Sequence, residues 1–87
     1  MSRRDELLEA WEKAGEAADA ARAEAHEKDS RTLRALLAGR VSLDTARFEH
    51  GSHQAIYRLA AKRCVDARDA YYAEIGEPVP QTEGASA

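Results

Sequence analysis

The sequence predicts an all-α protein, a long antiparallel hairpin of two helices. Three observations lead there. No proline occurs before Pro78, and Ala, Glu, Arg, Leu and Asp dominate the preceding chain, a composition rich in helix formers. No stretch alternates β-branched and polar residues, as a half-buried strand would. Apolar residues recur instead at spacings of three and four in two long runs joined by one short interruption.

The first run gives a helix over about 4–38. Leu7, Trp11, Ala14, Ala18, Ala21 and Ala25 form its seam. The seam then slips. The next apolar residues are Leu33, Leu36 and Leu37, and Asp29 falls where a core residue is due, a change of phase resembling a stutter. Gly15 lies inside the run and costs roughly 1 kcal/mol against alanine.

The interruption "AGRVSLDT" gives a turn over 39–42. Gly39 suits the residue just past a helix end, where a left-handed conformation is common. Ser42 suits an N-cap, and Asp44 places an anion in the next helix's first turn. Val41 and Ala46 are spaced as a hydrophobic staple. So short a connection makes the two helices antiparallel neighbours.

The second run gives a helix over about 43–75. Its seam is Leu43, Ala46, His50, His53, Tyr57, Ala60, Cys64, Ala67 and Tyr71. The phase persists through Gly51, so one helix weakened there is preferred to a break with a restart at Ser52. Gly76 followed by Pro78 is a stop signal. Residues 77–87, with two prolines and small polar residues, read as a disordered tail. Pairing helices of near-equal length sets Leu7 near Ile75, Trp11 near Tyr71, Ala14 near Ala67, and Ala25 near Ile56 and Tyr57.

Such a hairpin has little to bury. The chain has 87 residues and is 44% apolar, but nineteen of those residues are alanines, against one Phe, one Trp and one Met. Alanine removes little area from water at roughly 25 cal/mol per Å². A chain below about 80 residues with a thin core needs disulfides, a metal or a partner. Cys64 is the only cysteine, which excludes an internal disulfide. Leu8, Leu36, Phe48, Ile56, Leu59, Val65 and Tyr72 lie off the seam, and Trp11 is an aromatic of the kind that anchors interfaces. These eight are the predicted contact surface, toward a second copy in a four-helix arrangement or toward a larger protein assembly.

The stretch "EHGSH" carries the remaining candidate chemistry. On the expected pairing, His26 and Asp29 lie opposite His53 and Ser52, with His50 one turn away. His26, His50 and His53 are therefore candidate metal ligands, since histidines at helical spacing hold transition metals in bundles. The competing readings are a proton-sensitive layer and a polar layer that fixes register. The last is favoured, because neither Glu-x-x-His nor His-Glu-x-x-His occurs.

Arg31, Arg34, Arg40 and Arg47 crowd the closed end and make it a candidate phosphate-binding tip. A net charge of −3 argues against general nucleic-acid affinity. Cys64, on the seam, reads as a small hydrophobe. No glycine-rich phosphate loop, catalytic triad or paired-carboxylate pocket is present, so the sequence predicts neither an enzyme nor a cofactor. The first residues lack the apolar core of a secretory signal, and no apolar run approaches the roughly 18 residues of a membrane span. The expected setting is cytoplasmic, or a virion if a phage encodes the chain. The expected function is interaction: a small adaptor, accessory or structural protein. The alternatives are a nucleic-acid-associated regulator using the basic tip and a metal-binding bundle using the histidines.

Overall fold

The computed structural model describes residues 2–80. The end of the predicted disordered tail, from residue 81, lies outside them. Two helices, α1 (Arg3–Leu37) and α2 (Leu43–Ile75), pack against each other as an antiparallel hairpin. No helix among the described residues is long and apolar enough to cross a membrane.

Each end is closed by the residue type its position requires. The Ser2 hydroxyl accepts the Asp5 backbone N–H, with Asp5 and Glu6 in the first turn, where the helix dipole favours anions. At the other end Gly39 has φ 73°, a left-handed conformation that glycine adopts without steric cost. That turn lets the Gly39 N–H reach the Leu36 carbonyl and the Arg40 N–H reach the Ala35 carbonyl. The two bonds are a Schellman closure. Ser42 then caps α2 by accepting the Thr45 N–H at 3.1 Å. Gly76, again at φ 73°, repeats the closure, with Gly76 bonded to Ala73 and Glu77 to Tyr72. Helix α2 runs through Gly51 without a break, and no restart occurs at Ser52.

The register follows from side-chain contacts. The Trp11 and Tyr71 ring centroids are 5.7 Å apart. Thr32 donates to Glu49 at 2.9 Å, and His53 meets Asp29 at 2.8 Å. These contacts tie the open end, the middle and the approach to the turn into one continuous pairing.

The molecule measures 54 × 33 × 15 Å. Its thinnest dimension is little more than one helix, about 10–12 Å with side chains. Its radius of gyration is 17.5 Å, against about 12 Å for a compact chain of this length. A single layer encloses little. Among the described residues only Ala25 and Ala46 are buried, while Leu33, Leu37, Leu43, Phe48, Ile56, Leu59 and Val65 are 43–78% exposed.

One of those exposed residues corrects the sequence reading: Leu43, expected on the seam of the second helix, is 50% exposed. Leu33 and Leu37, the apolar residues that follow the slip, are exposed as well, Leu37 at 78%. At about 100° per residue, Leu33 and Leu37 point roughly 80° and 120° away from the direction of buried Ala25. Leu36 points within about 20° of it and is half-buried. The phase slip thus turns two leucines onto a flank. Of the predicted contact surface, Phe48, Ile56, Leu59 and Val65 are exposed, whereas Leu8, Trp11, Leu36 and Tyr72 are half-buried.

Candidate functional site: a polar layer beside an apolar groove

Midway between the helix centre and the turn, α1 presents Asp29 to α2. Its carboxylate is the hub of a polar layer. One oxygen accepts from His53 Nδ1 at 2.8 Å, and the other from His50 Nδ1 at 3.1 Å and Gln54 Nε2 at 3.2 Å. His50, His53 and Gln54 reach it together because residues three and four apart share a helix face. Asp29 and His53 are mostly covered, with side chains 24% and 15% exposed, while His50 is 62% exposed.

With an ionised carboxylate as acceptor, both Nδ1 atoms carry hydrogen. Donation from His53, then from Gln54 and His50, holds the Asp29 carboxyl below the usual carboxylate range, against the opposing effect of partial burial. A protonated His50 would add to the lowering. A carboxylate in place of the expected apolar residue is therefore satisfied rather than orphaned. Its cost is a gap in the apolar seam.

The third histidine does not join this layer. His26 is exposed and makes none of these bonds. Ser52, expected opposite α1, also faces outward. Among the described residues no three His, Cys, Asp or Glu side chains are grouped to hold a metal ion. The set His26, His50 and His53 is thus divided, with two bonded to Asp29 and one on the surface. Helical geometry explains the division, since His26 follows inward-facing Ala25 by one residue and is turned about 100° away from it.

Adjacent to the layer, toward the turn, lies a groove of about 490 Å³. Leu33, Leu36, Leu43 and Ala46 form its walls, with Asp29 and His50 at one end. Arg47 also borders it. It is open, apolar and adjoins the flank on which Leu37 stands. Sequence reasoning picked out Leu36 as a contact residue and missed Leu33, Leu37 and Leu43. The available signal was the phase slip itself, which rotates Leu33 and Leu37 off the inward line.

The basic tip is partly used locally. Arg31 pairs with Glu27, and Arg34 Nε donates to the Ser30 carbonyl at 3.4 Å. Arg40 and Arg47 are exposed. Cys64 is half-buried, with its sulfur 3.9 Å from where a Cβ on Gly15 would stand. At the open end Trp11, Tyr71 and Tyr72 form a mutual cluster with centroid separations of 5.4–5.8 Å. Trp11 is thus engaged with its own hairpin. No family model, curated protein or solved structure matches the chain.

Proposed function

We propose that this chain is a non-enzymatic protein–protein interaction and assembly module whose hairpin is completed by self-association. The observation that carries the reading is the mismatch between what is buried and what is exposed. Among the described residues two alanines are buried, while seven large apolar side chains are 43–78% exposed. Fully covering one Leu, Ile, Val or Phe contributes about 1.5–3 kcal/mol, so even partial covering of several outweighs anything the hairpin gains from its alanines. The groove supports the same reading, because Leu33, Leu36, Leu43 and Ala46 line it beside Asp29, Thr32, Arg47 and His50, an apolar wall with a polar edge. The Asp29 layer fits the role of a register-setting polar layer.

Thermal unfolding at several protein concentrations tests this. Self-association makes the midpoint rise with concentration, since association stabilises the folded state by mass action. A cooperative transition at one concentration-independent midpoint would contradict it, because the hairpin would then be self-sufficient. A chain with little helicity at every concentration would also contradict it, by assigning the missing surface to a different protein.

A further inference from the structure

The outward face of α2 carries a second seam, of apolar and small residues, that the hairpin does not use. Phe48, Ser52, Ala55 and Leu59 follow one another at spacings of four, three and four residues, the repeat of a helix–helix contact. All four are exposed, Phe48 at 76% and Leu59 at 51%. Ile56 at 59% stands beside them. Gly51 borders the same strip, and a Cβ placed there would meet nothing within 4 Å. The fold of the single chain therefore does not require that glycine, a residue that weakens a helix interior.

The order of large and small residues along this seam is symmetric. Reversing α2 about a point between His53 and Gln54 exchanges Phe48 with Leu59 and Ser52 with Ala55. It also exchanges Thr45 with Lys62. We propose that α2 pairs antiparallel with α2 of a second copy about a two-fold axis at that point. Ser52 then meets Ala55 of the second copy at the centre, and small side chains there let the two backbones approach. Phe48 meets Leu59 in one layer on each side. A two-fold contact is self-complementary by construction, and a seam that reads the same in both directions meets that requirement. The charges agree: the same reversal exchanges Asp44, one turn before Phe48, with Arg63 at both rims, next to Lys62, which is bonded to its own Asp66. This pairing rests on the assembly reading above and commits it to one partner and one face.

The test uses two full-length variants, Phe48→Lys and Leu59→Glu, with mass measured by sedimentation at matched concentrations. Each change places a charge in both symmetric layers, so each variant alone should weaken the dimer by about a hundredfold or more. Mixed together, they form one Lys–Glu layer and retain one intact Phe–Leu layer, so the mixture should dimerise. Circular dichroism of each variant shows whether the hairpin itself persists, as expected for substitutions at exposed sites. Single variants that dimerise like the unaltered chain would overturn this pairing and leave self-association through another face standing. Variants that stay monomeric when mixed would overturn the register. An unaltered chain that is monomeric throughout would overturn both the pairing and the self-association reading.

Discussion

Replacing Asp29 by asparagine probes the polar layer with little change of shape. The carboxylate accepts three hydrogen bonds, one on the oxygen facing His53 and two on the oxygen facing His50 and Gln54. An amide keeps one accepting oxygen and turns a donor toward whatever faced the other. If the oxygen stays with His53, the amide nitrogen confronts His50 and Gln54. His50 is 62% exposed and exchanges its partner for water at small cost. Gln54 is half-buried and has less access to a substitute. Counting one part-buried bond lost and one exposed bond nearly neutral gives a destabilisation of about 1–2 kcal/mol near neutral pH. The pH dependence follows from the lowered Asp29 pKa. A depressed carboxyl contributes stability that is complete above its unfolded value, near about 4, and is lost as pH falls through the folded value. The gap between the unaltered chain and the variant should therefore be full at pH 6–7 and close progressively below about pH 4. Urea unfolding followed by circular dichroism, at one protein concentration and several pH values, measures it. Equal stability at neutral pH, or an undiminished gap in acid, would refute the role given to the carboxylate.

Gly15→Ala should stabilise the hairpin by about 1 kcal/mol, because the added methyl would sit at ordinary contact distance from Cys64; a midpoint higher by roughly 4–8 °C is the expected reading. Trp11→Ala should cost about 1–2 kcal/mol, less than full truncation of a buried tryptophan, since Trp11 is half-buried against Tyr71 and Tyr72. Hydrogen exchange should then quicken first at the open end, and uniform quickening along both helices would count against a local clasp. Dialysis against a chelator should leave helicity and mass unchanged, because among the described residues no three His, Cys, Asp or Glu side chains are grouped to hold a metal ion. A lower midpoint restored by added zinc would speak for a metal at this layer.

The hairpin was legible because its signals are local. Gly39, Ser42 and Gly76 act through their own backbone and cap geometry, so their roles follow from residue type and position. The pairing of Trp11 with Tyr71 follows from the two helix lengths and the short turn. Asp29 was recognisable as a polar residue on an apolar line, and its partners His50 and His53 lie on the facing seam. The placement of His26 was not recovered, because a coarse pairing by residue number ignores rotation about the helix axis. The same neglect hid the groove. Leu33 and Leu37 look like core residues in a list of apolar positions, and only the rotation of roughly 80° and 120° from Ala25 moves them to a flank. How far Leu43 is covered depends on what α1 presents beside it, and a single helix cannot supply that.

Self-association as proposed implies that one copy of this hairpin is incomplete. Light scattering across a dilution series, with helicity recorded on the same samples, tests it most directly. The expected result is a dimer or larger species at high concentration that loses mass and helicity together on dilution. A stable helical monomer of 9.6 kDa at every concentration would contradict it.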